Sequence, residues 1–208
     1  MAYSLTKIKI CGITRMEDAL QAVQLGADAL GFNFFPESPR YITPQRAWEI
    51  ISQLPPFVTP VGVFVNAAQE EIDEALAASG ARVAQLHGDE SPEFCRSCKC
   101  KVIKAFRVGD QFDLARLAEY PVSAFLLDTY RKGLYGGTGA TFDWEIAREA
   151  GRYGPIILAG GLSPDNIEEA IRSAHPYAVD VNSGVESEPG VKDHAKMEAV
   201  VATARAAR

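Results

Sequence analysis

Residues 8-IKICGI-13 are the first of eight short apolar runs that recur at similar spacing along this 208-residue chain, each closed by glycine or a few polar residues. The other seven runs are 29-ALGFNFF-35, 59-TPVGVFV-65, 83-VAQLHG-88, 102-VIKAFRV-108, 124-AFLLDT-129, 156-IILAGG-161 and 178-AVDVNSG-184. Helix-like stretches such as 69-QEEIDEALAAS-79 separate them. Strand runs that alternate with helical patterns indicate right-handed βαβ units around a parallel sheet. Eight units predict an α/β fold, a compact (β/α)₈ TIM barrel, whose active site lies at the carboxyl ends of the strands.

Length and composition favour one domain over residues 1–208, since no linker or low-complexity segment divides the chain. The net charge of −6, with scattered basic residues, argues against nucleic acid or an acidic membrane surface as a partner. No apolar run approaches the roughly 20 residues that span a bilayer, and no secretory signal is evident. The four cysteines do not form a disulfide framework, so we expect a cytoplasmic protein with reduced thiols.

Ser/Thr-Pro pairs predict where three helices begin, because the hydroxyl caps the helix and proline fits its first turn. These pairs are Thr43-Pro44, Ser91-Pro92 and Ser163-Pro164. The alanine-rich segment 194–208 is predicted to form the closing helix. The glycine-rich segment 130–142 is the longest unpatterned stretch, and in so compact a chain we interpret it as an active-site cover rather than an idle connection.

Small residues close the seventh and eighth runs, at Gly160-Gly161 and at Ser183-Gly184. Loops after these two strands are where barrels often bind phosphate through backbone N–H groups. Glycine suits this role because the missing Cβ lets the backbone approach an anion closely. Tight turns alone would also explain such glycines, but two of these turns on adjacent strands favour a phosphate site. The sequence therefore predicts a phosphorylated small molecule as the ligand.

Two groups that exchange protons are predicted to lie at strand ends. Cys11 closes the first run and Asp128 closes the sixth, and these strands are not neighbours in the barrel. Their side chains could therefore meet across a bound ligand as a base and an acid. His87, at the end of the fourth run, either lines the site or bonds a loop. Arg40, after the second run, is the best-placed cation for an anionic substrate group, although a solvated loop arginine is the simpler interpretation of that residue alone.

Three crowded cysteines, Cys95, Cys98 and Cys100, have spacing that could suggest a metal site. The cluster offers at most three close sulfurs and lacks a second paired set of ligands. We therefore expect no metal there.

The residues that close the runs also resemble a known family. The matching segments are 9-KICGIT-14, 38-SPR-40, 85-QLHG-88, 128-DT-129, 136-GGTG-139 with Phe142, 158-LAGGLSPDN-166 and 180-DVNSGVESEPGVKD-193. On these the chain closely resembles the phosphoribosylanthranilate isomerase family of tryptophan biosynthesis, over essentially its whole length. One departure is Asn182, where the family more often has serine.

The resemblance implies an Amadori rearrangement of N-(5-phosphoribosyl)anthranilate to 1-(2-carboxyphenylamino)-1-deoxyribulose 5-phosphate, without a metal or organic cofactor. It implies that Cys11 is the general base, that Asp128 is the general acid and that Arg40 pairs with the anthranilate carboxylate. It places the phosphate on the backbone at Gly160, Gly161, Ser183 and Gly184, and it also points to Asp180 as a site residue.

Other functions remain open from sequence. The same barrel could carry a pentose-phosphate epimerase, a catalytically silent module that binds a phosphometabolite, or a thiol-based metal or redox sensor at residues 95–100. A single phosphorylated small molecule is the expected partner, and the oligomeric state is expected to be a monomer or a homodimer.

Overall fold

The computed structural model describes residues 5–109, 112–128 and 144–207. Eight parallel strands close into a barrel in chain order, with β8 paired to β1. The strands are β1 Lys7–Ile10, β2 Ala29–Asn33, β3 Thr59–Phe64, β4 Val83–Leu86, β5 Lys101–Arg107, β6 Ala124–Asp128, β7 Ile156–Ala159 and β8 Ala178–Val181. The predicted (β/α)₈ barrel is confirmed, and each strand corresponds to one of the eight apolar runs.

Helices surround this barrel. They are α1 Met16–Leu25, α2 Pro44–Ile51, α3 Gln69–Ser79, α4 Pro92–Ser97, α5 Trp144–Ala150, α6 Ile167–Ala174 and α7 His194–Ala206. A 3₁₀ helix, Leu114–Glu119, takes the place of an α-helix between β5 and β6. None of the helices in the described ranges is long and apolar enough to cross a membrane. The segment 130–142, which we expected to cover the active site, lies outside the described residues.

The chain after β8 departs from a simple strand-to-helix connection. A short 3₁₀ turn, Ser183–Val185, leads into two antiparallel strands, β9 Glu186–Glu188 and β10 Val191–Lys192. The sequence pattern did not predict this hairpin. It places two charged side chains, those of Glu186 and Lys192, in buried positions beside the barrel mouth.

Two of the three predicted helix starts are confirmed. The hydroxyl of Thr43 accepts a hydrogen bond from the backbone N–H of Arg46, and that of Ser91 accepts one from Phe94. The third prediction, Ser163-Pro164, is wrong, since α6 begins at Ile167. The side chain of Asn166 explains the delay, because its Oδ1 accepts from the Ser163 N–H at 2.9 Å while its Nδ2 donates to the Gly161 carbonyl at 3.0 Å. These bonds hold the residues before α6 in a turn.

Apolar packing forms two layers. Alternate strand residues form one cluster, and the other lies between the strands and the helices. The first cluster comprises Val61, Ile103, Ala105, Ala124, Leu126, Ile157, Ala159 and Ala178.

A buried ion pair connects β5 to the loops that follow β3 and β4. The Lys104 ammonium on β5 donates to Glu90 Oε2 at 3.0 Å and to the Gly88 carbonyl at 2.8 Å. Glu90 in turn accepts from the backbone N–H groups of Asn66 at 2.9 Å and of Gly88 at 3.0 Å. The pair therefore fixes the loop after β4, which carries His87.

Replacing Lys104 with methionine should destabilise the protein by about 3–5 kcal/mol, because the Glu90 carboxylate is then buried without a counter-charge. The double variant Lys104→Met/Glu90→Gln should lose less, since no lone charge remains. Urea unfolding measures both free energies. A loss below about 1 kcal/mol in the single variant, the range of an exposed pair, would contradict this role.

Candidate active site

A cavity of about 250 Å³ opens at the carboxyl ends of the barrel strands. Its lining residues are Cys11, Asn33, Val63, Gln85, His87, Asp128, Ala159, Gly160, Gly161, Leu162, Asp180, Asn182, Ser183 and Gly184. Every site residue predicted from the sequence is in this set except Arg40. The structure therefore brings the predicted proton-exchanging groups and the two predicted phosphate-binding turns into one cavity.

Cys11 follows β1 directly and is held there by a bond from its backbone N–H to the Val181 carbonyl, at 2.8 Å. Beneath it, Lys9 on β1 lies opposite Asp180 on β8 in the strand register, and their side chains form an ion pair at 2.8 Å. Both partners are buried. A Cβ added to Gly31 would lie 2.7 Å from Cys11 Sγ and 3.0 Å from Lys9 Nζ, so the absence of a side chain there lets the thiol and the ammonium approach each other.

Opposing charges act on the Cys11 thiol. Burial raises its pKa, the negative charge of Asp180 raises it further, and Lys9 and Lys192 lower it by less. The net result is a raised pKa, so the thiol is mostly protonated near neutral pH. Burial and the neighbouring charges also act on the pKa of Lys9. Burial would lower its pKa, but Asp180 and Cys11 together raise it, and Lys9 therefore stays a cation.

Asp128 ends β6, on the far side of the cavity from β1. The closest approach of His87 to it joins Nε2 of the imidazole to Oδ2 of the carboxylate at 3.5 Å, which is longer than a regular hydrogen bond. On the other side of the ring, Nδ1 lies 3.2 Å from the amide nitrogen of Gln85. If that amide donates to Nδ1, the proton of a neutral imidazole is on Nε2 and faces Asp128. His87 lines the cavity, which is one of the two roles that its position in the sequence allowed.

The two phosphate-site turns pack directly on one another. Gly160 and Gly161 have φ of 90° and 64°, a backbone conformation that favours glycine. A Cβ added to Gly184 would lie 1.9 Å from the Leu162 carbonyl oxygen, so only glycine fits at that contact. Ser183 and Gly184 open the 3₁₀ turn after β8. The backbone of both turns therefore borders the same end of the cavity.

Arg40 is the one predicted residue that does not line the cavity wall. Its stem lies over Gly12, since a Cβ added there would be 2.8 Å from Arg40 Cδ. Its guanidinium forms an ion pair with Glu186 at 2.6 Å, and Glu186 also pairs with Lys192 at 2.9 Å. Burial alone would raise the pKa of Glu186, but the hydrogen bonds from Arg40 and Lys192 outweigh it and keep that pKa below its usual range.

The two carboxylate oxygens of Asp180 differ in their contacts. Its Oδ2 accepts from Lys9, while its buried Oδ1 has no hydrogen-bond partner among the residues that the structure describes. A buried acceptor without a hydrogen bond destabilises the folded protein. A hydroxyl group of a ligand in the cavity would donate the missing hydrogen bond.

The sequence interpretation missed Glu186, Lys192 and Gln85. The first two stand in the polar stretch after β8, where the Pro189-Gly190 dipeptide is a turn signal that could have indicated the hairpin that buries them. Gln85 shares alternation with His87 on β4, and that spacing is the signal that could have identified it.

The crowded cysteines lie apart from the cavity. Cys95 is buried within α4, and Cys98 and Cys100 follow it, partly buried. Burial raises the pKa of Cys95 and of Cys98 to about 11 each, which leaves the thiols protonated and unreactive at neutral pH. Within the described ranges no three His, Cys, Asp or Glu side chains group as they would around a metal ion.

This chain is similar to one family of known proteins in both sequence and structure. A family model described as N-(5′-phosphoribosyl)anthranilate isomerase matches residues 8–203. The isomerase of that name from Geobacter metallireducens is 54% identical over 97% of this chain and 100% of its own length. The solved phosphoribosylanthranilate isomerase of Thermotoga maritima is 44% identical, with a TM-score of 0.88, and covers 97% of this chain and 100% of its own.

A further solved structure shows such an enzyme in complex with reduced 1-(o-carboxyphenylamino)-1-deoxyribulose 5-phosphate. It is 41% identical to this chain, with a TM-score of 0.86, and the match covers 97% of this chain and 100% of that one. Family model, sequence relatives and solved structures agree over nearly the whole length, and this chain belongs to the N-(5′-phosphoribosyl)anthranilate isomerase family.

Proposed function

We propose that this chain isomerises N-(5′-phosphoribosyl)anthranilate to 1-(2-carboxyphenylamino)-1-deoxyribulose 5-phosphate, with Cys11 as the general base and Asp128 as the general acid. The observation that carries the proposal is that both groups line one cavity with the turns at 160–161 and 183–184. A phosphosugar held by those turns would extend between the thiol and the carboxyl group. The epimerase, silent-module and thiol-sensor alternatives gain no comparable support.

The reaction is an isomerisation with no net gain or loss of atoms, and it proceeds through four proton transfers. Asp128 donates a proton to the ribose ring oxygen, the bond from that oxygen to C1 breaks, and the aniline nitrogen forms a Schiff base with C1. The Cys11 thiolate then removes the proton from C2, which gives an enolamine. Return of a proton to C1 and loss of one from the C2 hydroxyl yield the ketone.

The binding groups suit the remaining parts of this substrate. Backbone N–H groups at Gly160, Gly161, Ser183 and Gly184 would hold the phosphate. The buried Oδ1 of Asp180 would accept a hydrogen bond from a ribose hydroxyl group. A solved enzyme of this family from Thermotoga maritima is described as dimeric, and we propose a monomer or a homodimer for this chain.

Wild-type protein mixed with freshly made N-(5′-phosphoribosyl)anthranilate should remove the fluorescence of that compound catalytically. A folded protein that leaves the fluorescence unchanged would contradict the proposed function.

Replacing Cys11 with alanine should lower kcat by about 10²–10⁴-fold, because the group that removes the C2 proton is gone. Cys95→Ala is the matched control, since that thiol is also buried but lies in α4 away from the cavity. Steady-state kinetics compare the two variants. Equal activity of Cys11→Ala and Cys95→Ala would exclude Cys11 as the base.

Replacing Asp128 with asparagine should lower kcat by about 10²-fold or more, since an amide does not donate a proton to the ring oxygen as an acid does. Asp73→Asn, a partly buried residue of α3 that does not line the cavity, serves as the control. Retention of wild-type kcat by Asp128→Asn would assign the acid to another residue.

The pKa of the Cys11 thiol should shift in opposite directions when Lys9 and Asp180 are replaced in turn. A base acts when deprotonated, so activity rises with pH through the pKa of the thiol. Lys9→Met removes a charge that lowers this pKa and should move the rise to higher pH, whereas Asp180→Asn removes one that raises it and should move the rise to lower pH.

Alkylation of Cys11 by iodoacetamide, followed by mass spectrometry over a pH series, measures this pKa without any need for substrate. Thermal melting confirms that each variant is folded. Shifts in the same direction, or no shift in either variant, would contradict the electrostatic coupling.

A further inference from the structure

We propose that Glu186 is a positioning residue that holds Arg40 in place for the carboxylate of the substrate. This inference rests on the proposed function, because it takes the anthranilate carboxylate as the group that Arg40 binds. Glu186 would not touch the substrate itself. It would act by fixing which edge of the guanidinium faces the ligand.

The hydrogen bonds define that edge. Glu186 accepts from Arg40 Nε at 2.9 and 3.1 Å and from Nη2 at 2.6 Å. These two nitrogens form one edge of the planar guanidinium group. The second edge, formed by Nη1 and the remaining hydrogen of Nη2, faces away from Glu186, and a carboxylate can bind there with two parallel hydrogen bonds.

Lys192 makes this arrangement favourable to an incoming anion. Its side chain is 0% exposed, and its ammonium donates to Glu186 Oε1 at 2.9 Å and to Asn182 Oδ1 at 3.0 Å. Burial lowers the pKa of Lys192, although Glu186 opposes that effect. When Arg40 and Lys192 are both protonated, their two positive charges and the negative charge of Glu186 give this cluster a net charge of +1. Glu186 therefore orients Arg40 without cancelling its attraction for a carboxylate.

Glu186 is itself firmly held. Besides Lys192, the backbone N–H of Gly190 donates to its Oε1 at 3.2 Å, within the β9–β10 hairpin. Arg40 in turn lies over Gly12, the residue next to the proposed base, where Asn182 Oδ1 would also be 2.7 Å from an added Cβ. The hairpin thus connects the position of Arg40 to the part of the site where the chemistry occurs.

The test compares two ligands and three variants. The ligands are reduced 1-(o-carboxyphenylamino)-1-deoxyribulose 5-phosphate and the same molecule without its carboxyl group. Their Kd ratio measures the preference for the carboxylate, which should be about tenfold or more in the wild type, as a charge-assisted bidentate pair provides. Glu186→Asp keeps the charge but shortens the reach, Glu186→Gln keeps the reach but removes the charge, and Glu188→Gln changes an exposed neighbour on β9.

Positioning predicts that both Glu186 variants lose most of the preference, while their Kd for the ligand without the carboxyl group stays near the wild-type value. If Glu186 acted only through its charge, Glu186→Asp would show the same preference as the wild type. Glu186→Gln, which makes the cluster more positive, would then bind the carboxylate more tightly. Glu188→Gln should retain the full preference. Thermal melting verifies folding, and Glu186→Asp remains decisive if Glu186→Gln does not fold.

The preference surviving in Glu186→Asp would overturn the inference. That result leaves the proposed function intact as long as the wild type turns over N-(5′-phosphoribosyl)anthranilate. A wild type with no preference for the carboxylate would also overturn the inference, because Arg40 would then have no carboxylate to meet. Absence of turnover by the wild type contradicts the proposed function and is measured separately.

Discussion

The site depends on the register with which the first and last strands close the barrel. Lys9 pairs with Asp180 in that register, and the Cys11 N–H bonds to the Val181 carbonyl one step further on. A slip of one residue would turn Lys9 and Asp180 towards opposite faces and would leave two buried charges without partners. The ion pair and the strand closure therefore stabilise each other, and Cys11 is placed at the cavity as a consequence.

Charged side chains in and beside this cavity form two separate groups that have different effects. Lys9 and Asp180 neutralise each other below the thiol, so burial dominates and the pKa of Cys11 is raised. A raised pKa means that only a small fraction of the thiol is deprotonated at neutral pH, but that the thiolate is a stronger base. The group of Arg40, Glu186 and Lys192 instead keeps a positive charge in excess. The same barrel mouth thus combines a charge-balanced pair beneath the proposed base with a cationic group suited to an anion.

Much of this could be predicted from the sequence, because strand periodicity and strand ends are local signals. The positions of Cys11 and Asp128 at the cavity could be predicted that way, since each closes an apolar run. The start of α6 was misplaced because the side chain of Asn166 folds back on Gly161, a contact that overrides the Ser-Pro signal. The Arg40–Glu186 pair joins residues far apart in sequence. The Pro189-Gly190 dipeptide indicates a turn there, but it does not show that the hairpin lies against Arg40. The pKa of Cys11 likewise depends on burial and on Asp180, which is far away in sequence, as well as on the nearby Lys9.

A crystal structure of this protein with reduced 1-(o-carboxyphenylamino)-1-deoxyribulose 5-phosphate would test most directly whether one ligand connects all these groups. We predict that its phosphate lies on the backbone of Gly161 and Gly184, and that its C1 and C2 atoms lie between Cys11 and Asp128. A ligand bound with its phosphate elsewhere, or with C2 out of reach of the Cys11 sulfur, would contradict the proposed site.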